Sequence, residues 1–312
     1  MGKTKIDNTN VIKPYAPYSG SKGRIIPHLI PFFQGTDTLI DLFCGTGSVF
    51  INSGAKNVVA YEIEKSIVFT ISTLRFFGLW KNASMYKQFL DLLDEYSEVD
   101  YYELRGMFNE TGFPYRSEYY SWDSVHPISM LIVLQHRSFN SLLRFNSKGE
   151  FNAPEGRKDF VKESVIEFID ALGQLETFLI SLRSIQDMNI QMKYGENCTV
   201  YADPPYFVTD NTSYYAGWSW EQEESMRRCL ETQIFAGNKI VLSNVTRHNN
   251  IDNLSLIEWA RSNDLFIYEA EKGYNSWSAA VGSVEKKPPS MECVITNFEA
   301  DLPSNNRFKL AY

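Results

Sequence analysis

The chain has 312 residues, 44% of them hydrophobic and 22% charged, with a formal net charge of −8. That is enough apolar mass for a large core, in one elaborated domain or in two. No apolar stretch approaches the ~18 residues of a membrane-spanning helix, and Met1-Gly2-Lys3-Thr4-Lys5 does not open a signal peptide, so a cytoplasmic protein without a membrane partner is expected.

Cys44, Cys198, Cys229 and Cys293 are scattered, as are His28, His126, His136 and His248. Reduced thiols are therefore expected, and no metal. Residues 1–34 are basic, with Lys3, Lys5, Lys13, Lys22 and Arg24 against Asp7 alone. Residues 38–43 read as a buried strand, and Cys44-Gly45-Thr46-Gly47-Ser48-Val49-Phe50 as a tight turn into a helix. Gly45 and Gly47 let the backbone approach a ligand closely, and a helix start favours a polar or anionic group. The third glycine of the dinucleotide fingerprint is missing, which weakens a nicotinamide reading. Residues 57–62 form a second strand ending in Glu62, and an acid at that strand tip accepts hydrogen bonds from ribose hydroxyls.

The next expected strand, 189–193, lies too far on for a single crossover helix, so residues 81–175 read as an insertion. It carries tyrosine-rich and apolar helical stretches. Its segment 136–158 holds Arg137, Arg144, Lys148, Arg157 and Lys158 against Glu150 and Glu155. Residues 144–152 read as a hairpin, with Asn146-Ser147-Lys148-Gly149 as the turn and aromatic residues on the arms. Such a hairpin is either an ordinary solvated surface or a reader of the DNA major groove, where arginine bridges guanine O6 and N7. Further strands are expected at 199–203, 239–244, 265–270 and 291–297, with helices between most of them. The pattern predicts an α/β fold with a mainly parallel, Rossmann-like sheet and a ligand at its carboxyl edge.

The strand 199–203 ends in Asp203-Pro204-Pro205-Tyr206. Proline has no N–H for a ladder, so pairing stops there. An exocyclic amine on a nucleobase is a poor nucleophile, because its lone pair is delocalised into the ring. Asp203 and the Pro204 carbonyl offer acceptors for both amine hydrogens, and Tyr206 a ring to stack on an extruded base. Alone, these four residues read equally as a strand-ending turn. Joined to the glycine turn and Glu62, they describe an S-adenosylmethionine site facing an amine-methylating pocket.

Several blocks carry a resemblance. They are Pro17 to Lys22, Asp41 to Gly45, Phe139 to Phe151 with Pro154 and Gly156, Tyr201 to Tyr206, Ser243-Asn244, and Glu292 to Asn297. In this order the chain resembles the Dam-type (D12 class, alpha group) DNA adenine-N6 methyltransferases, most closely those of T-even bacteriophages. The resemblance implies methyl transfer from S-adenosylmethionine, without a metal, to a flipped-out adenine in double-stranded DNA, usually within GATC. It implies a catalytic domain of residues 1–80 and 176–312, and a mainly helical target-recognition domain at 81–175 carrying the hairpin. Catalysis falls to Asp203, Pro204, Pro205 and Tyr206. Cofactor binding falls to Tyr18, Lys22, Asp41, Phe43, Gly45, Gly47, Glu62 and Asp203. DNA contacts fall to Phe139, Asn140, Leu142, Arg144, Lys148, Pro154 and Arg157. A cognate restriction endonuclease is a partner such enzymes can have, and a monomer is expected when free. Three positions depart from the pattern: Glu62 stands where relatives often carry Asp, Pro17 where many carry a lysine, and Lys158 where many carry an aromatic.

Two other readings stay open. One is a methyltransferase of protein or RNA amines or amides, although amide methylators usually carry Asn in place of Asp203. The other is an inactive DNA-binding module on the same fold. The charge of −8 weighs against nucleic acid as a whole-molecule number, while the two basic segments supply a local track whose binding would be salt-sensitive.

Overall fold

The computed structural model describes residues 11–18, 22–23, 25–115, 125–187, 197–206, 218–248, 250–271 and 290–311. The first half of the chain forms α1 (Ile26–Leu29), β1 (Thr38–Asp41), β2 (Asn57–Glu62), α2 (Lys65–Leu79), α3 (Ser84–Ser97), α4 (Tyr101–Thr111) and α5 (Val125–Arg137). Then follow α6 (Lys162–Gln174), β3 (Thr177–Leu182), β4 (Cys198–Ala202), α7 (Trp220–Phe235) and β5 (Lys239–His248). The last elements are β6 (Ile251–Asp252), α8 (Leu254–Ser262), β7 (Phe266–Ala270), β8 (Met291–Thr296) and β9 (Phe308–Leu310).

Among the described residues, nine strands form one sheet in the order β3-β2-β1-β4-β5-β8-β7-β9, with β6 beside β5. The first five in that order run parallel, while β8 is antiparallel to both β5 and β7. Buried strands alternate their side chains between two cores. Leu39, Val58, Tyr201, Val241 and Val294 face one core with α2 and α6. Ile40, Val200, Ile240, Leu242 and Ile295 face the other with α7 and α8. The expected α/β sheet with helices on both faces is therefore present. Sequential strands run outward from β1 in one direction and from β4 in the other, so the strand order reverses between β1 and β4. Asp41 is paired with both Ala60 and Tyr201, which lines up the ends of β1, β2 and β4 at one edge.

Three expectations need correction or completion. The run at 189–193 lies outside the described residues. Among the described residues, the strand that follows the helical segment is β3, which was not expected, and its half-exposed alternation suits a sheet edge. The glycine turn does not enter an α-helix but a single 3₁₀ turn, Phe50–Asn52. Asn52 turns its side chain back to Ile12 and Ser48, and Gly54, at φ 78°, ends the segment. The strand at 239–244 continues to His248, with an irregularity between Val245 and Arg247.

Helices α3, α4 and α5 pack through Phe89, Leu93, Tyr101, Leu104, Phe108 and Ile132, in a core continuous with that under the sheet. The hairpin forms as a narrow bridge between Phe145 and Phe151, closed by Gly149 at φ 75°. Both rings pack on Phe108. Helix α6 returns the chain to the sheet. It crosses α2 where Gly78 and Gly173 face each other, and Arg75 donates to the Leu172 and Leu175 carbonyls at its end. A Cβ on Gly78 would lie 2.6 Å from the Ile169 carbonyl oxygen. In an open helix Gly→Ala stabilises by about 1 kcal/mol. Here Gly78→Ala should instead destabilise, by about 1–3 kcal/mol, because two backbones must separate. Thermal unfolding gives the answer by its sign: a raised Tm would show that the helices do not touch at this point.

Candidate active site

The site is built where the strand order reverses. The turn after β1 leaves Asp41, passes Phe43 and folds over the tip of β2. Gly45 at φ 49° and Gly47 at φ 90° adopt left-handed backbone that a side chain would strain. At Gly47 a Cβ would also lie 2.6 Å from the Phe50 ring. The Gly45 N–H donates to Glu62 Oε2 at 2.8 Å, while Glu62 Oε1 accepts from the Ile63 and Glu64 N–H groups at 2.8 and 2.9 Å. The buried carboxylate thus clamps the glycine turn to the end of β2. Burial pushes its pKa up, against those three amides. The Tyr18 ring approaches Gly45, 3.6 Å from where a Cβ would stand.

Asp41 is 1% exposed. Its Oδ1 accepts from the Phe43 N–H at 3.3 Å, and its Oδ2 is buried without a partner among the described residues, as is Thr46 Oγ1. Burial raises the Asp41 pKa well above the usual carboxylate range, and the Asp203 and Glu62 carboxylates add to the rise. A buried carboxyl oxygen and a hydroxyl placed in this way can exchange hydrogen bonds with a ligand.

Asp203 follows β4 directly. Its Oδ1 lies 2.8 Å from the Lys22 ammonium, which also donates to the Tyr206 hydroxyl at 2.6 Å. That hydroxyl lies 3.4 Å from Asp203 Oδ1 and 3.2 Å from Glu292 Oε2. Burial raises the pKa of both carboxyls, with Lys22 pulling against it. Pro204 is buried and Pro205 half-buried. Phe43 meets Trp218 edge to face, ring centres 5.6 Å apart.

The structure thus brings Tyr18, Lys22, Asp41, Phe43, Gly45, Gly47, Glu62 and Asp203 to Tyr206 to one edge of the sheet. The basic segment forms a separate group. Phe139 and Asn140 are exposed on a turn in which Asn140 has φ 52°, and the Phe139 N–H donates to the Pro154 carbonyl at 2.8 Å. Leu142 is half-buried beside them, while Pro154, Arg144, Lys148 and Arg157 are exposed. Arg144 spans the hairpin, donating through Nε and Nη2 to Asn152 Oδ1 and carbonyl O at 2.8 and 2.9 Å. Two bonds tie this half of the molecule to the N-terminal segment, from Gln135 to the Pro17 carbonyl at 3.1 Å and from His136 to the Tyr15 carbonyl at 2.8 Å.

Sequence reasoning assigned no role to Glu292, which sits at the start of β8 and whose partners Tyr206 and Lys22 lie far back along the chain. Its signal was an acid inside an otherwise apolar strand. It also passed over Tyr115, whose hydroxyl donates to the Glu64 carboxylate at 2.6 Å and whose ring packs on Phe145 of the hairpin.

The family model described as D12 class N6 adenine-specific DNA methyltransferase matches residues 18–272. The Type II methyltransferase M.FokI of Planomicrobium okeanokoites is 27% identical over 309 residues, 96% of this chain and 44% of that protein. Modification methylase StsI of Streptococcus sanguinis is 27% identical over 96% of this chain and 45% of its own length. The DNA adenine methylase of Serratia marcescens is 25% identical over 66% of this chain and 71% of its own. The chain therefore spans less than half the length of the first two relatives.

The electrostatics predict a pH-dependent gain in stability. Asp41's folded pKa lies above its unfolded value of ~3.9, so the folded state holds the proton more tightly. Stability is complete below the unfolded value and falls as pH rises through the folded one. Asp41→Asn should therefore raise the Tm of the ligand-free protein at pH 8, by roughly 2–4 °C per kcal/mol relieved, and change it little at pH 4. A Tm that falls at pH 8 would mean that this carboxylate is satisfied without a ligand.

Proposed function

The chain belongs to the D12 class N6 adenine-specific DNA methyltransferase family, and from that premise we propose that it methylates adenine N6 within a specific site in duplex DNA, GATC being the best candidate. The observation that carries the reading is Asp203, held by Lys22 at the strand-order reversal next to the unpartnered Asp41 oxygen.

S-adenosylmethionine fits the edge of the sheet, because its ammonium and sulfonium charges match Asp41, Glu62 and Asp203, of which Asp203 is paired with Lys22. Asp41 Oδ2 and Thr46 Oγ1 would receive its donors. Glu62 Oε2 would accept from the ribose, Tyr18 and Phe43 would line the cofactor, and Lys22 would reach its methionine end. When bound, the cofactor supplies an electrophilic methyl group. The chain's part is to make the amine nucleophilic. Asp203 and the Pro204 carbonyl accept its two hydrogens and draw the lone pair out of the ring. Tyr206 offers its ring to the extruded base. No general base is needed beforehand, and the raised pKa of Asp203 suits it to take up the proton once the nitrogen is methylated.

Residues 81–175 serve as the target-recognition part in this reading, with α6 as its return to the sheet. Arg144 is prepared for base readout. Asn152 engages its Nε and Nη2, which orients the outer Nη1–Nη2 edge towards guanine O6 and N7. Phe139 and Asn140, on a strained exposed turn, would approach the target step, with Leu142 and Pro154 beside them and Lys148 and Arg157 on phosphates. The likeness to the T-even phage enzymes and a cytoplasmic monomer belong to the same proposal. So does a restriction endonuclease as partner, a reading supported by two relatives named as a Type II methyltransferase and a modification methylase.

Mapping methylated adenines in a plasmid expressed with the protein tests the reading. Methylated GATC is expected, and a plasmid without methyladenine would refute it. Asp203→Ala should lower turnover by at least 100-fold, corresponding to about 3–4 kcal/mol; a variant with most of its activity would remove Asp203 from the chemistry. Arg144→Ala should relax preference at one base pair by about 1–3 kcal/mol, measured as methylation of GATC against single-base variants. Cofactor affinity should not change. An unaltered preference profile would assign readout to another part of the insertion.

A further inference from the structure

Glu292 is a buried acid that the reaction as described does not use. It lies on β8, 9% exposed, and β8 runs antiparallel to β5, so its first residues reach the edge where the parallel strands end. Its Oε2 lies 3.2 Å from the Tyr206 hydroxyl. That hydroxyl accepts from Lys22 at 2.6 Å and has one proton to give. Among the described residues, the carboxylates around it are Glu292 and, 0.2 Å further away, Asp203. Lys22 and Tyr206 both address the same oxygen of Asp203, Oδ1.

We propose that Glu292 is a positioning residue for the target amine: its carboxylate accepts the hydrogen bond of the Tyr206 hydroxyl, so that Asp203 keeps its acceptor capacity for the amine. The inference rests on the proposed methyltransferase reading, in which Asp203 accepts an amine hydrogen. Glu292 also adds a second negative charge beside Asp203, and the two compete for one ammonium. Among the described residues, the titratable groups that face this pair are Lys22 from the N-terminal segment, Asp41 on β1, Tyr201 on β4, Tyr206 beyond it and Cys293 on β8. Lys22 is the cation among them. The Tyr201 hydroxyl is engaged with Ser243 at 3.0 Å, and burial pushes the Cys293 thiol well above its ordinary pKa, so neither changes charge near neutral pH.

Two variants separate the charge from the hydrogen bond. Glu292→Gln keeps an oxygen acceptor for the Tyr206 hydroxyl and removes the charge. Asp203 then titrates lower, and the acid limb of kcat/KM for DNA methylation should move down by about 0.5–1 pH unit. Glu292→Ala also removes the acceptor. The hydroxyl proton turns to Asp203, and kcat should fall at least tenfold below that of Glu292→Gln, with the KM for S-adenosylmethionine unchanged. A second readout uses the cofactor-free protein: carboxyl carbon NMR of labelled aspartate, assigned with Asp203→Asn, should show the same downward shift in Glu292→Gln. An unmoved Asp203 titration in Glu292→Gln overturns the proposal, as does Glu292→Ala activity equal to that of Glu292→Gln. If the wild type methylates no DNA, the proposed function fails, while the NMR titration still decides the role of Glu292.

Discussion

Among the described residues, the Lys22 ammonium is the positive charge beside Asp203 and Glu292, two of the four carboxylates gathered at the carboxyl edge of the sheet. Those carboxylates arrive there because the ends of β1, β2 and β4 are in register and β8 enters beside β5 from the opposite direction. Burying a carboxylate costs several kcal/mol unless hydrogen bonds or a counter-charge offset it. Each acid meets that demand differently. Glu62 spends both oxygens on three backbone N–H groups, so its charge stabilises the turn it sits against. Asp203 is paired with Lys22, and Glu292 is reached through the Tyr206 hydroxyl. Asp41 keeps one oxygen without a partner among the described residues. Among the described residues, buried carboxyls thus outnumber the cations that face them, and in the proposed reading a cationic ligand at this edge would relieve the imbalance. The stability forgone without ligand becomes affinity when the ligand binds.

The same edge is joined mechanically to the basic hairpin. Gln135 and His136, at the end of α5, hold the backbone of Pro17 and Tyr15, and that stretch leads to Tyr18 and Lys22. Tyr115 connects Glu64, two residues past the Glu62 clamp, to Phe145 of the hairpin. Because α3 to α5 share one continuous core with the sheet, the hairpin cannot move far as a rigid arm without disturbing packed rings. In the proposed reading, DNA docking and cofactor binding therefore act on a single stiff body, and what remains adjustable is the exposed turn at Phe139 and Asn140.

Much of this was legible in the sequence, for identifiable reasons. Strands β1, β2 and β4 are short apolar runs with both faces buried, and each is followed by a residue whose backbone or charge ends it: the turn after Asp41, the acid Glu62, the prolines after Asp203. The hairpin declared itself through Asn146-Ser147-Lys148-Gly149. Strand β3 did not, because Thr177 to Leu182 alternates on an exposed edge and follows α6 with almost no punctuation. The helix expected after Gly47 stops after one turn, where Asn52 bonds locally to Ser48 and, over forty positions, to the backbone of Ile12, the latter a partner invisible to local pattern. Glu292 was unreadable for a similar reason: an acid in an apolar strand says only that some partner exists, and its partners Tyr206 and Lys22 lie 86 and 270 positions away.

The net charge of −8 also looks different once charges are located. A phosphate backbone responds to the charge exposed within about a Debye length of it, ~8 Å at physiological salt. Asp41, Glu62 and Glu292 are buried, and burial raises all three pKa values, so they count fully in the formal total and little on the surface. Arg144, Lys148 and Arg157 are exposed together on the hairpin side. Whole-chain charge averages these two populations, although in the proposed reading they serve opposite ends: internal acids to attract a cation, surface bases to attract an anion. A chain built to hold a cationic methyl donor inside and a polyanion outside should be acidic within and locally basic without, and its formal charge then predicts neither ligand.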